Sequence, residues 1–228
     1  MAIPSTVNPA YEYARSDLLS LLPQREFRAV LDIGCSTGAT AKVLKDRAPN
    51  VTVVGIEHDG EAAQRARAVL DTVLVGDADE RLAELATAGA TFDLVLCGDV
   101  LEHLVDPWAT LRRIRALCPA GNVLVSLPNV AHVSTLVSLL GSYWPYRDRG
   151  IFDRTHLRFF GRRNLPELFG PAGFRLVEVR TRHRVFERPH PWNQKLEPLV
   201  SRLPLLSRLT EYQFLCLLEP SSESSGQR

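Results

Sequence analysis

The chain is poor in the features that would mark secretion, disulfide stapling or membrane insertion. Its four cysteines, Cys35, Cys97, Cys118 and Cys216, form no C-x-x-C pair, and three of them fall in apolar strand or helix patterns, so reduced core thiols are expected. No segment reaches the ~20 apolar residues of a membrane span, and the opening Met-Ala-Ile-Pro-Ser-Thr has neither a basic region nor an apolar run. A cytoplasmic location is expected, with membrane contact disfavoured. An excess of charge of one sign is also missing. The 27 Lys plus Arg against 26 Asp plus Glu give a net charge of +1, which offers no general field for nucleic acid or an anionic membrane. Any partner must be recognised locally, and nothing in the residues sets an oligomeric state. There is no internal repeat, and 228 residues suit one large α/β domain better than two.

What is present centres on Val30-Leu-Asp-Ile-Gly-Cys-Ser-Thr-Gly-Ala-Thr40. An apolar strand enters a turn of small residues, and a helix pattern leaves it through Ala41, Val43 and Leu44. Gly34 and Gly38 allow backbone angles and a close ligand approach that a Cβ would block, while Ser36 and Thr37 keep the turn small. Asp32 points an acid at the same crevice. An ordinary β-α connection is the competing reading. A dinucleotide fingerprint would place glycines at Gly34, Ser36 and Ala39; two of the three are missing, which weakens a nicotinamide reading.

Strands and helices alternate from there. Strands are expected at 29–33, 51–56, 73–75, 92–97 and 123–127, and helices near 38–48, 60–70, 79–88, 107–118 and 131–140. This is the pattern of a doubly wound parallel sheet. A leading helix is expected over 10–22. After residue 141 comes a long loop with Tyr143, Trp144 and Tyr146, then the dense segment 151–160, a helix near 162–169 and a strand over 174–180. A Pro-rich connection, an apolar-basic stretch over 196–209 and a strand over 212–218 follow. The late strands imply an antiparallel ending. The expected organisation is a single domain over 1–220, with a core at 28–142, an acceptor-side loop and C-terminal strands at 143–219, and a disordered tail at 221–228.

Acids recur at strand ends. Glu57 ends the second strand, where an open α/β sheet presents a carboxylate to ribose hydroxyls. Asp77 ends the third strand and Asp99 follows the fourth. Asp77 and Asp79 read equally as helix N-caps or, for Asp77, as an adenine contact.

The motifs around Asp32 to Gly38, Val54-Gly-Ile-Glu-His-Asp59, Gly76-Asp-Ala78 and Phe92-Asp-Leu-Val-Leu-Cys-Gly-Asp-Val-Leu-Glu-His-Leu104 resemble, in order, those of class I S-adenosylmethionine-dependent methyltransferases. The resemblance covers about residues 10 to 185 and extends to small-molecule O-methyltransferases of the ubiquinone-biosynthesis kind. It implies a Rossmann-like seven-stranded sheet, mostly parallel with an antiparallel last strand, and S-adenosyl-L-methionine as cofactor. It also implies that Asp32, Gly34, Ser36 and Gly38 border the methionine part and that Glu57 holds the ribose. Asp77 and Ala78 would then lie against adenine, His58 and Asp99 near the cofactor, and Arg15 on its carboxylate. Ser36 departs from the family, which has glycine there.

A sulfonium methyl needs an acceptor held in line in a dry pocket and a base for the hydroxyl proton, a task suited to histidine. His103, His132 and His156 are the candidates. The Thr155-His156 pair resembles one found near the acceptor in this group, so His156 is taken as base. Arg154, Thr155 and Arg158 would then place a small-molecule acceptor, with His132, Tyr143 and Trp144 on the pocket wall. A loop clamp, with His156 bonded to backbone and both arginines paired to Asp148 or Asp153, is the alternative. Asp99, Glu102 and His103 resemble a magnesium site of the ubiquinone-type enzymes, but no metal is expected, because oxygen-rich magnesium coordination leaves histidine out. The competing functions are N- or C-methylation, a catalytically silent cofactor-binding subunit, and a nicotinamide oxidoreductase.

Overall fold

The computed structural model describes residues 13–221. Seven strands form one sheet: β1 (Ala29–Ile33), β2 (Thr52–Glu57), β3 (Thr72–Val75), β4 (Leu94–Gly98), β5 (Asn122–Pro128), β6 (Phe174–His183) and β7 (Glu211–Pro220), in the order β3-β2-β1-β4-β5-β7-β6. The first five pair in parallel, whereas β7 runs antiparallel to both β5 and β6. The doubly wound sheet with an antiparallel last strand is therefore observed. That strand is internal, slotted between β5 and β6, and its first eight residues are buried.

Alternation of side chains sorts the strand residues onto two faces. Leu31, Val95, Val123 and Phe214 enter one core layer with Leu82, Leu111 and Leu165. Val30, Leu94, Leu124 and Leu215 enter the other with Leu18, Leu44 and Ala66. The helices that supply these residues are α1 (Ser16–Leu19), α2 (Ala39–Arg47), α3 (Gly60–Ala66), α4 (Ala78–Thr87) and α5 (Pro107–Leu117), followed by α6 (Val133–Leu140) and α7 (Asn164–Phe169). Carboxylates start three of them. Asp59 accepts from the Ala62 amide at 2.8 Å, Asp77 from Asp79 at 2.8 Å, and Asp106 from Ala109 at 3.0 Å, with Pro107 preset for the first turn. All four cysteines are buried and free, and burial pushes the Cys118 thiol up to about 11.

Several boundaries differ from expectation. The leading helix is one turn, α1, closed by turns through Leu22; residues 10–12 lie outside the described residues, as does the tail beyond Ser221. The stretch after β6 forms two short helices, α8 (Pro191–Val200) and α9 (Pro204–Thr210), each opened by its proline. A register shift between Leu176 and Glu178 accounts for the adjacent apolar pair Leu176-Val177, because the extra residue leaves the ladder and Val177 stands exposed. Among the described residues, no helix is long and apolar enough to cross a membrane.

Candidate functional site

β1 has β2 on one side and β4 on the other, so successive connections leave in opposite directions and a crevice opens at their carboxyl ends. A cleft of about 800 Å³ lies there. One part of its wall is the turn between β1 and α2, with Asp32, Gly34 and Ser36, together with Gly98 and Asp99 after β4.

The turn is held from β2. The Gly34 and Cys35 amides donate to the Ile56 carbonyl at 2.9 and 3.1 Å, and the Ser36 amide donates to Glu57 Oε2 at 2.8 Å. Glu57 Oε1 accepts from the Asp59 amide at 2.9 Å and lies 3.1 Å from His58 Nδ1. Gly34 and Gly38 take φ of +69° and +82°. A Cβ on them would strike Val100 Cγ2 at 2.7 Å and Leu70 Cδ1 at 2.6 Å. Backbone angle and protein packing thus each call for glycine at both positions.

Ser36 sits at φ +47°, a left-handed conformation that costs a residue with a Cβ about 1–2 kcal/mol. Ser36→Gly is expected to raise stability by about 0.5–1 kcal/mol after the extra chain entropy of glycine is set against the relieved strain. A rise in the urea midpoint would show it, and an unchanged or lower midpoint would mean that the serine side chain stabilises the turn.

Asp32 is buried, and its Oδ2 has no hydrogen-bond partner; the hydroxyl of Ser36 is likewise unpartnered. Burial, with the nearby Glu57 carboxylate, raises the Asp32 carboxyl to about 7. The folded state therefore holds this proton more tightly than the unfolded chain. Stability is full below the ordinary carboxylate range and is lost as pH rises from about 4 through about 7. Asp32→Asn is expected to remove this loss, on the order of 4 kcal/mol at most. Unfolding midpoints compared at pH 5 and pH 8 check it; an equal pH slope in both proteins would refute it.

Arg15 lies over the turn, its amide donating to Thr40 Oγ1 at 3.1 Å. Its guanidinium is engaged by Asp17 at 3.0 Å and by Asp99 at 2.6 Å. Asp99 also accepts from Ser126 at 2.8 Å and from Gln213 at 2.6 Å. Asp99 is therefore the hub that joins the leading segment, β5 and β7, and among the described residues Glu102 and His103 group with His156 rather than with Asp99. Gly38, Glu57, His58, Asp77 and Ala78 stand outside the cleft wall. Glu57, Gly76 and Asp77 nevertheless share the carboxyl edge, since the Gly76 amide donates to the Glu57 carbonyl at 2.9 Å. For Asp77 the helix-cap reading is the one observed.

The fourth strand's exit brings Glu102 and His103 against His156, all on the cleft wall. The two imidazoles meet edge to face at 4.7 Å, and His156 Nε2 lies 4.0 Å from Glu102 Oε1. Burial holds His156 below the usual histidine range, helped by His103; burial also lowers His103. Burial raises the Glu102 carboxyl well above its ordinary range, with Asp99 adding to the effect. The Thr155 hydroxyl donates to Asp153 at 2.6 Å and so receives the His103 Nδ1 proton at 2.9 Å. This chain leaves the lone pair of His103 on Nε2.

Other expected contacts are corrected. His132 is fully buried; its Nε2 donates to the Arg184 carbonyl at 2.8 Å and its Nδ1 accepts from the Ser134 amide at 3.2 Å, so no ring nitrogen is left for a substrate. Thr155 orients His103 and is not on the cleft wall. Arg154 pairs with Asp148 at 2.9 Å, as the loop-clamp alternative has it, and Arg158 donates to the Val105 carbonyl; neither is on the cleft wall. Tyr143 is exposed, and Trp144 packs the loop against Phe152 and Phe159. Sequence reasoning passed over Arg147, Arg149, Arg182, Arg184 and Arg188, with Tyr212 and Gln213, all on the cleft wall. Their trace is the alternation Arg180, Arg182, Arg184 and a polar Tyr212-Gln213 step inside an apolar strand.

The family described as "Methyltransferase domain" matches residues 9–179. A probable S-adenosylmethionine-dependent methyltransferase of Mycolicibacterium smegmatis is 30% identical, covering 78% of this chain and 64% of that one. This chain belongs to the S-adenosylmethionine-dependent methyltransferases. S-adenosylmethionine is accordingly its cofactor. Other relatives of this methyltransferase are a ubiquinone biosynthesis O-methyltransferase of Azorhizobium caulinodans, 33% identical over 72% of this chain and 64% of that one, and a trans-aconitate 2-methyltransferase of an Azoarcus species, 32% identical over 50% and 45%. The match thus spans about half to just under two thirds of these relatives' own length. The fold is shared with a Haloferax volcanii methyltransferase solved with the Trm112 activator (TM-score 0.61, 19% identity, 92% of this chain and 90% of that one). It is shared also with a Listeria monocytogenes methyltransferase (TM-score 0.58, 16% identity, 91% and 96%).

Proposed function

We propose that this methyltransferase methylates a hydroxyl of a small molecule, with His156 as the base. The observation that carries the cofactor side is the pair of unpartnered buried polar groups, Asp32 Oδ2 and the Ser36 hydroxyl, beside the left-handed turn. Buried polar atoms without partners cost about 1–3 kcal/mol each, and a polar ligand would remove that cost. In this reading Asp32, Gly34, Ser36 and Gly38 border the amino-acid end, and Glu57 has lone pairs to spare for ribose hydroxyls after accepting from two backbone amides. Asp77 and Ala78 sit further along the same edge, with His58 beside Glu57. When bound, S-adenosylmethionine supplies an electrophilic methyl group. The chain's own residues must then orient the acceptor, exclude water and take a proton. His156 suits the last role: it is nearly buried, lines the cleft and is neutral at pH 7.

A second reading rests on Glu102, His103 and His156, whose ligand atoms all lie within 4.8 Å of one another. Two imidazoles and a carboxylate suit a zinc-like ion better than magnesium. Activity that a chelator abolishes and zinc restores would favour it and would free His156 from the role of base.

The primary test is calorimetric binding of S-adenosylmethionine and its demethylated product, followed by turnover on a panel of alcohols, phenols, amines and activated carbons. Micromolar cofactor binding with turnover on hydroxyl acceptors is expected. Binding without turnover on any of them would favour the silent-subunit reading, and turnover confined to amines or carbons would replace the oxygen acceptor.

A further inference from the structure

The wall of the cleft facing the Gly34 turn is lined with arginine. Arg147, Arg149, Arg182, Arg184 and Arg188 all reach it, against Asp148 and Glu187 from the same segments. Two of the five are committed: Arg147 pairs with Glu187, and Arg182 with Asp17 at 3.0 Å. Asp148 is drawn off by Arg154. Arg149, Arg184 and Arg188 close no ion pair with a carboxylate among the described residues. Five guanidiniums against two carboxylates make this wall a local concentration of positive charge in a chain whose net charge is only +1.

The arrangement is also built in advance. The Arg184 guanidinium lies 4.2 Å from the centre of the Tyr212 ring, which fixes it on the last strand. Gly150, at φ +82°, lets the Arg147–Arg149 loop press against Glu187 and Tyr212; a Cβ there would lie 3.1 Å from the tyrosine oxygen and would collide with Glu187. Burial keeps the Tyr212 hydroxyl protonated, so it remains a donor. Glu187 sits amid Arg147, Arg184, Arg188 and Arg149, and its burial outweighs all four, raising its carboxyl above the ordinary range. One carboxylate is thus shared among four guanidiniums, and its direct ion pair is with Arg147. Forked guanidiniums with a hydroxyl donor are the chemistry that reads phosphate or carboxylate oxygens.

We infer that the methyl acceptor carries an oxyanion, a phosphate ester or carboxylate, seated among Arg149, Arg184 and Arg188 beside Tyr212. The inference rests on the methyl-transfer reading for the word acceptor, but the anion site stands on the arginines alone. No bond changes at this site; it anchors the end of the acceptor that does not react, and in doing so orients the hydroxyl toward His156.

The test titrates inorganic pyrophosphate and, separately, citrate into wild-type protein saturated with S-adenosylhomocysteine, and into the Arg149→Ala/Arg188→Ala double variant. Binding of at least one anion by the wild type is expected, weakened at least tenfold in the variant, or about 1.4 kcal/mol. The variant's S-adenosylhomocysteine affinity and unfolding midpoint should be unchanged. Pyrophosphate binding tighter than citrate would assign a phosphate ester, and the reverse order a carboxylate. Wild-type binding to phosphatidylglycerol vesicles that the double variant loses would place that phosphate on a lipid. Failure of both anions to bind, or equal binding by both proteins, would overturn the inference. Loss of S-adenosylhomocysteine binding by the wild type, with pyrophosphate still bound, would instead strike the methyl-transfer reading and leave the anion site in place.

Discussion

His156→Ala is expected to lower turnover by roughly 10²–10⁴-fold, the usual contribution of a positioned base, while leaving cofactor affinity within about twofold of the wild type by the same calorimetry. The Gly34–Gly38 turn hangs on the Ile56 carbonyl and on Glu57, so loss of the His156 ring should not reach the cofactor. Because burial and His103 hold His156 below the usual histidine range, the base is already unprotonated at neutral pH. Turnover in the wild type should therefore rise with pH along a limb whose midpoint lies below the ordinary histidine value of about 6.5 and level off toward pH 8. His103→Ala discriminates. The Asp153-Thr155-His103 chain leaves an unprotonated Nε2 on His103 as well, so near-normal turnover in His156→Ala together with a dead His103→Ala would move the role of base by one imidazole.

Glu57→Ala is expected to weaken S-adenosylmethionine binding at least tenfold, about 1.4 kcal/mol, and to destabilise the fold as well. The carboxylate does two jobs. It would take the ribose hydroxyls, and it already takes the Ser36 and Asp59 amides on separate oxygens. Removing it leaves two backbone donors without their acceptor, at about 1–3 kcal/mol for each that stays buried. Glu57→Gln separates the two effects, since it keeps one acceptor oxygen and replaces the other with a donor that the Ser36 or Asp59 amide opposes. Equilibrium unfolding and calorimetry on the same samples check both parts. A stable Glu57→Ala protein with wild-type affinity would remove the residue from the site.

Residues within a repeating pattern were readable in the sequence, and residues in aperiodic loops were not. Val30, Val95 and Leu124 announced strands because both neighbours of each are apolar, as they must be when a sheet is covered on both faces. Asp32, Glu57 and Asp99 were found because a strand end has a fixed place at the edge of a parallel sheet. The 147–158 segment has no period. Which of Arg147, Arg149, Arg154 and Arg158 face the cleft depends on the left-handed Gly150 and on the pairing of Arg154 with Asp148, and neither leaves a mark in residue order. His132 misled for a related reason: it follows β5 at the site edge, but the ring turns inward to meet the Arg184 carbonyl, 52 residues further along the chain. Arg182 and Arg184 did leave a trace, an every-other-residue basic pattern, but it reads equally as a solvated strand face until the cleft is seen.

The position of β7 sets the order in which the chain can be completed during synthesis. β5 pairs with the last strand through Val123 and Leu218, so β5 waits, with one edge open, for residues made almost a hundred positions later. Until they emerge, β6 has no sheet to join, and Asp99 lacks the Gln213 amide that ties it to the strand. Non-local pairing of this kind slows folding and leaves an apolar edge exposed meanwhile. A polypeptide cut off before Glu211 would thus lack an interior plank of the sheet rather than its trim, with the cleft half built and a sticky edge for quality control to find.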